Sequence, residues 1–469
     1  MSTLAAAENG EPKEAGKAAL LGWVLYDWAA QPFFTLIFTF IFGPYFVARL
    51  AASPEVGQAW WTGATAAAGL VIAILSPILG AFADATGPRK PWIALFSVFY
   101  VAGSAALWWA SPTLETGFLI ALGGYVLATI GAEFGIVFTN AMMPDLVGRE
   151  KMGRLSGIGW GVGYAGGLLA LVIMLGLVIP GENGRTMFGL PSLLGFSHDT
   201  YAGERFSGPF TAVWYLVFVL PLFLFTPDAP KRAGAREAIR SGLKQLRDTL
   251  AGWREHRNAF LYLLASMSYK DALVGVFALG GIVGAAVFGW PIMVVGIFGL
   301  IINLVGVFGS FIGGWLDDKL GSRPVIIGGI LVLFFATVTI MTLGRDYVFG
   351  VIAVPPPPEG GGLFAGVSEK VFLIAGILVG LAVGPLQAAS RTLLVSVAPK
   401  DKITEFFGLY ALTGKATSFL VPMAISATTA LSGSFRIGLT PILVFFAIGL
   451  VLLLMVKEPL KPARAARSA

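Results

Sequence analysis

The chain contains no cysteine, which excludes disulfides, thiolate metal sites and thiol nucleophiles. It has only two histidines, His198 and His256, and both fall between apolar runs. No zinc-binding histidine pair and no nucleophile elbow can be assembled from it, so an enzyme is a poor reading and no metal or cofactor is expected. Charge is scarce too: 12% of the 469 residues are Asp, Glu, Lys or Arg, against about 25% in soluble proteins. What is abundant is apolar side chain, at 56%, with a mean hydropathy of +0.81. A soluble protein could not cover that much apolar surface, and disorder is excluded for most of the length.

The apolar residues fall into twelve runs, each long enough to span a bilayer as a helix. They lie near 20–46, 60–83, 91–110, 116–143, 155–179 and 208–226, then near 259–287, 292–316, 324–344, 369–397, 405–430 and 437–456. Residues 1–19 mix Glu8, Glu11 and Glu14 with Lys13 and Lys17, and they do not read as a cleavable leader. With the N-terminus in the cytoplasm, most of the 32 Lys and Arg fall on cytoplasmic segments. This satisfies the positive-inside rule with both termini inside and accounts for the net charge of +6 without nucleic acid.

The expected organisation is a tail over 1–19, a six-helix bundle over 20–226, a cytoplasmic linker over 227–258, a second six-helix bundle over 259–456 and a basic tail over 457–469. In the linker, Ile239, Leu243, Leu246, Leu250 and Trp253 form one apolar helical stripe opposite a basic face. That pattern predicts a helix lying on an anionic cytoplasmic leaflet. The loop from Arg345 to Glu369, with Pro355 to Pro358 and then Gly360 to Gly362, reads as irregular surface chain.

The two halves repeat each other. Gly80, Asp84, Gly87 and Arg89 in GAFADATGPR are matched at one constant interval by Gly314, Asp318, Gly321 and Arg323 in GWLDDKLGSR. A second match pairs Arg149-Glu150 and Gly157 with Lys400-Asp401 and Gly408. Duplicated halves with a solute site between them are common in secondary transporters.

GAFADATGPRK resembles the loop signature of the major facilitator superfamily. LYDWAAQPFFTLIFTFIFGPYF, SPILGAFADATGPRKPW and NAMMPDLVGREKMGRLSGIGWGVGYAGG are similar to its vacuole-effluxer-like branch, the "unknown major facilitator" family. The resemblance implies an all-α integral membrane protein of twelve transmembrane helices in two pseudo-symmetric six-helix bundles, with helices one, four, seven and ten around a central cavity. It also implies a cytoplasmic latch at Asp84, Arg89 and Lys90, with second-half counterparts Asp318 and Arg323. Amino-acid efflux is the function associated with fungal members of the branch.

Charges inside spans cost at least about 2.5–3.5 kcal/mol each on insertion scales, so each one needs a reason. They are Asp27, Glu133, Lys270, Asp271, Arg391 and Lys415. Gln31 continues a polar stripe from Asp27, Asn140 shares a face with Glu133, and Gln387 shares one with Arg391. These nine residues are the candidate substrate and coupling groups, with Tyr26, Trp160, Tyr262 and Tyr269 as aromatic walls. Packing ion pairs are the plainer reading of the same charges. Lys270 and Asp271 point about 100° apart, so one of them is expected to face the cavity. Asp27 and Glu133 are the expected proton-handling acids. Gly161, Gly163 and Gly166 spell a dinucleotide fingerprint, but they sit inside a span with no strand before them and serve close helix packing instead.

The function expected is a secondary transporter of a small organic solute by alternating access, an effluxer coupled to protons. It is expected to be a monomer in a bacterial inner membrane. A sugar or glycoside cation symporter and a non-transporting sensor are the alternatives. No filter-like repeat or pore-lining charge ring supports a channel.

Overall fold

The computed structural model describes residues 14–181, 183–232, 244–290, 292–355 and 363–459. The chain is a multi-pass, all-α membrane protein. In hydrocarbon every backbone N–H and C=O must be satisfied within the protein, and the apolar runs meet that demand as helices. They are α1 (Lys17–Leu50), α2 (Pro54–Thr86), α3 (Lys90–Trp109), α4 (Gly117–Leu146), α5 (Met152–Val178) and α6 (Ala202–Phe225). The second half holds α7 (Arg257–Phe288), α8 (Ile292–Leu320), α9 (Ser322–Met341) and α10 (Val367–Val397). It ends with α11a (Ile403–Ala416), α11b (Leu420–Ser432) and α12 (Arg436–Met455).

One expected span, 405–430, is two helices rather than one. Pro422 contributes: it has no N–H for the carbonyl of Ser418 and its ring crowds that carbonyl, which weakens the helix there, although Pro77 and Pro385 lie inside unbroken helices. The chain turns at Thr417, whose carbonyl accepts the Leu420 N–H at 2.8 Å, and helix resumes at Leu420. α1 is also irregular. Beyond Pro32 it continues in π-helical register from Phe33 to Phe40.

The halves pack alike. In the first, α1 packs on α5 and α6, α4 on α2 and α3, and α3 on α6; in the second, α7 packs on α11a and α12, α10 on α8 and α9, and α9 on α12. The repeated loop glycines explain themselves: Gly87 has φ +97° and Gly321 φ +94°, a conformation that a Cβ disfavours. Each half carries a second matching device. Asp228, beyond α6, accepts the backbone N–H of Arg89 at 2.8 Å and of Lys90 at 3.0 Å, satisfying the open start of α3. Glu458, beyond α12, accepts those of Ser322 and Arg323 at 2.9 Å each and does the same for α9.

Between the halves, α2 lies on α11a and α5 on α8, the same pairing with the halves exchanged. A Cβ on Gly80 would meet the Thr404 carbonyl at 2.5 Å, and one on Gly157 would meet Gly314 at 2.6 Å. Eleven residues before Gly80, about 16 Å away on nearly the same face of α2, Gly69 meets nothing. The halves are therefore shut against each other at one end and apart beyond it. The shut end carries the start of α1, the end of α12 and the described part of the linker; we call it the terminal face.

In the linker, residues 244–251 are helical and dock on α11a rather than standing clear. Leu246 and Thr249 are buried, Gln245 donates to Glu405 Oε2 at 2.8 Å, and Lys402 Nζ donates to Thr249 Oγ1 at 2.9 Å. Of the expected stripe, Leu250 and Trp253 are exposed, whereas Ile239 and Leu243 lie outside the described residues. In the Arg345 to Glu369 loop, Tyr347–Val348 pairs with Ile352–Ala353 as a small antiparallel hairpin. The Pro356 to Pro358 and Gly360 to Gly362 runs fall outside the description.

Candidate functional site

Two acid–base pairs join the halves, the first about two turns from the terminal-face ends of α4 and α10 and the second near the middle of α4. In the first, Arg391 on α10 donates Nη1 to Asp27 Oδ2 on α1 at 3.1 Å and to Asn140 Oδ1 on α4 at 3.0 Å. Its Nε donates to Ser156 Oγ on α5 at 2.9 Å and its Nη2 to the Ser156 carbonyl at 2.6 Å. The guanidinium lies 5.4 Å from the Trp23 ring centroid and 5.5 Å from that of Trp160. Arginine suits this place because its planar fork serves several acceptors at once and its face tolerates aromatic neighbours. Small residues on α5 make the room: a Cβ on Gly159 would come within 2.6 Å of Asp27 Oδ2.

The second pair is Lys415 on α11a with Glu133 on α4, Nζ to Oε1 at 2.7 Å. The two acids are equally accessible, Asp27 and Glu133 each at 19%, but the Lys415 side chain is 31% exposed and that of Arg391 5%. Lys270 on α7 sits with Nζ 3.0 Å from the Tyr410 ring centroid. Asp271, one residue on, is buried, and no well-formed hydrogen bond reaches its carboxylate oxygens among the described residues. Gln31 lies against Gly167, and Gln387 lies by the Tyr164 hydroxyl; neither touches the charged pairs in any described contact.

Of the expected walls, Trp160 flanks Arg391, and its indole N–H has no partner among the described residues. Tyr262 and Tyr269 instead tie α7 to α10 through Ser390, with Tyr262 donating to its carbonyl at 2.6 Å and Tyr269 meeting its hydroxyl at 2.7 Å. Tyr26 packs edge-on against Tyr215. Sequence reading missed Ser156, Trp23 and Tyr410. Each looks like ordinary span composition until the fold brings it to a charge.

At the terminal face, Asp84 closes α2 on α11a. Its Oδ1 accepts the Thr404 N–H at 3.1 Å and its Oδ2 the Glu405 N–H at 2.8 Å, so the carboxylate sits on the positive end of that helix. Arg89 stands 3.7 Å from Asp84, pairs with Asp145 at 2.8 Å and donates Nε to Thr404 Oγ1 at 3.1 Å. Asp145 and Thr404 were not anticipated. Asp318 faces Arg154 of the other half at 3.8 Å, and the deeper neighbour Asp317 accepts the hydroxyls of Ser322, at 2.7 Å, and Thr392. Two expected latch residues lie elsewhere. Lys90 donates to the Phe223 carbonyl at 2.8 Å, and Arg323 donates to the Leu453 and Leu454 carbonyls. Each stays within its own half, because the start of α3 or α9 abuts the end of α6 or α12 and its bare carbonyls take the nearest cation.

Two outer grooves, one between α9 and α10 and one between α2 and α4, are walled by apolar side chains such as Leu331, Phe335, Trp60 and Leu122. Neither includes a charged residue, so the charged centre between the halves is the candidate solute site.

Residues 62–465 match the family described as "Vacuole effluxer Atg22 like". An uncharacterized MFS-type transporter of Bacillus subtilis (strain 168), YxiO, is 25% identical over 440 residues, covering 93% of this chain and 94% of that protein. Two solved structures share the fold. One is the major facilitator superfamily transporter FucP in the outward conformation, with TM-score 0.68, 14% identity, and 94% and 99% of the two chains covered. The other is the proton:xylose symporter XylE, with TM-score 0.66, 14% identity, and 94% and 95% covered. The chain belongs to the vacuole effluxer Atg22-like family and has the major facilitator fold; it is a small-molecule transporter, not an enzyme.

Proposed function

We propose that this Atg22-like family member exports a small zwitterionic solute of the amino-acid class by alternating access, with protons as the counter-ion. The observation that carries the reading is that Asp27–Arg391 and Glu133–Lys415 both run from one half to the other. A zwitterion offers a carboxylate to Arg391 or Lys415 and an ammonium to Asp27 or Glu133. It can replace a bond between the halves by two bonds to itself, so the halves part without stranding a buried charge. The free indole N–H of Trp160 is a further donor beside Arg391.

The basic loops support a cytoplasmic terminal face, which makes the shut end the inner gate and this state outward-facing. A bacterial relative supports the plasma membrane as the location. A monomer suffices for this scheme, since both pairs form within one chain, and the linker's basic residues suit an anionic inner leaflet.

The test is a thermal-shift screen of amino acids against sugars and glycosides, followed by flux in reconstituted vesicles. A ligand at a hundredfold excess over its Kd stabilises by about 2.7 kcal/mol. Stabilisation by amino acids with saturable flux is the expected result. Stabilisation by glycosides alone would instead favour a sugar symporter, a reading encouraged by the two indoles flanking Arg391.

A further inference from the structure

The buried acids are not equivalent. Asp27 and Glu133, where the sequence points first for proton handling, are held by Arg391 at 3.1 Å and Lys415 at 2.7 Å. Asp271 is 1% exposed, and no ion pair and no well-formed hydrogen bond reaches its carboxylate oxygens among the described residues, the Thr417 hydroxyl being the polar group that faces them. An ionised carboxylate left bare in a membrane interior costs several kcal/mol, and neutralisation is the ordinary escape. Its neighbour Lys270 acts on it only through space, because the Lys270 Nζ is turned onto the Tyr410 ring and makes no ion pair with it.

The charged and titratable groups around it come from three directions. Lys270, Tyr262 and Tyr269 share α7, Lys415 and Tyr410 stand on α11a, and Arg391 on α10 is engaged with Asp27. Glu133, across from Lys270, is engaged with Lys415. Nothing titratable lies on the adjoining α11b, Leu420–Ser432. The Thr417 hydroxyl faces Asp271 from the break in helix eleven, and it donates to the Thr413 carbonyl at 3.2 Å.

We propose that Asp271 carries the exchanged proton and stands as a neutral carboxylic acid in this state. The inference deepens the proposed antiport by naming its proton site. When access changes, the O–H bond breaks, the proton passes to water in the cavity and the electron pair stays on the carboxylate. The new charge competes with Glu133 for the part-exposed cation Lys415. Lys415 sits two residues from Thr417, so it is released from Glu133 and one of the two pairs between the halves is undone. Discharge of the proton is thereby tied to the contact that holds α11a against α4. The break supplies the freedom for this exchange, since a chain interrupted at Thr417 can reorient Lys415 without moving α11b.

The test is infrared spectroscopy of the reconstituted protein at neutral pH, reading the carbonyl stretch of a protonated carboxyl. The wild type should show this band. Asp271→Asn, a neutral and nearly isosteric replacement, should fold as a monodisperse protein and lose it, while Asp27→Asn and Glu133→Gln retain it. A band that survives in Asp271→Asn, or is absent from the wild type, overturns the proposal. So does a band that disappears when sodium replaces choline in the buffer, since a metal cation would then be the occupant. In vesicles, Asp271→Asn should exchange amino acid across the membrane yet lose accumulation driven by a pH gradient; accumulation at the parent level overturns the assignment. If the wild type moves no amino acid at all, the proposed function fails, and the infrared band still decides Asp271.

Discussion

The Asp27 carboxylate and the Arg391 guanidinium meet at 3.1 Å across 364 residues of chain, and that contact fastens the first helix of one half to the tenth helix of the other. The same arrangement engages four of the five N–H donors of Arg391, with Asn140 and Ser156 taking three of them. Removing Asp27 alone leaves a buried cation without a counter-charge.

Asp27→Asn should therefore destabilise the purified protein by up to about 3 kcal/mol. Arg391→Gln should also be costly, but the double variant should fall short of the sum by about 1 kcal/mol or more, because the two changes remove one shared interaction. Denaturation of all four proteins in one detergent checks this. Additive losses would mean that the pair does not couple.

Arg391→Lys keeps the charge and loses the fork. A point charge cannot serve Asp27, Asn140 and both Ser156 oxygens together, so solute affinity should drop about tenfold or more, roughly 1.4 kcal/mol. Binding isotherms with the best stabilising solute would show it, and an unchanged Kd would remove Arg391 from the solute site.

The absence of cysteine makes the native chain a ready background for accessibility mapping. Gly69→Cys should react quickly with a membrane-impermeant maleimide, and Ser76→Cys, whose side chain is buried where α2 meets α11a, should react slowly. Asp84→Asn weakens the cap on α11a by about 1 kcal/mol, which shifts the equilibrium about fivefold towards the state open at the terminal face. In that variant labelling at a terminal-face cysteine such as Ser76→Cys should rise. Equal labelling with and without the substitution would show that Asp84 does not hold the gate.

Asp228→Ala and Glu458→Ala each strip two backbone N–H groups at the start of a helix, α3 or α9. Each should cost about 0.5–2 kcal/mol, and the double variant should cost the sum, since the sites lie in different halves and share no partner. Unfolding curves decide the point.

Much of the fold is legible in the chain. Twelve apolar runs give the spans, and the glycine-bearing loops at Gly87 and Gly321 betray the duplication, because their positive φ demands the same residue twice. The caps at Asp228 and Glu458 repeat just as faithfully, yet an acid beyond a span end carries no mark of the helix start it will satisfy. Pro422 weakens the helix at the interruption, but Pro77 and Pro385 lie in unbroken helices, so a proline in an apolar run does not by itself mark a break. The candidate site was half legible. Scarcity of charge inside the spans singles out Asp27, Glu133, Asp271, Arg391 and Lys415, whereas which acid meets which base is settled by helix rotation and packing. The same limit explains Lys90 and Arg323. Their charge is plain in the sequence, but the carbonyls that capture them belong to helices more than a hundred residues away.

The π-helical stretch of α1 bears on how this protein tolerates change in length. A π turn is an α turn holding an extra residue. Losing one residue between Phe33 and Phe40 can be absorbed by returning that segment to ordinary helical register, which leaves Asp27 where it faces Arg391. Losing one between Asp27 and Pro32 has no such slack and swings the two sides of the cut about 100° relative to each other. Across relatives of differing length, deletions in the first helix should accumulate beyond Pro32 and be absent before it.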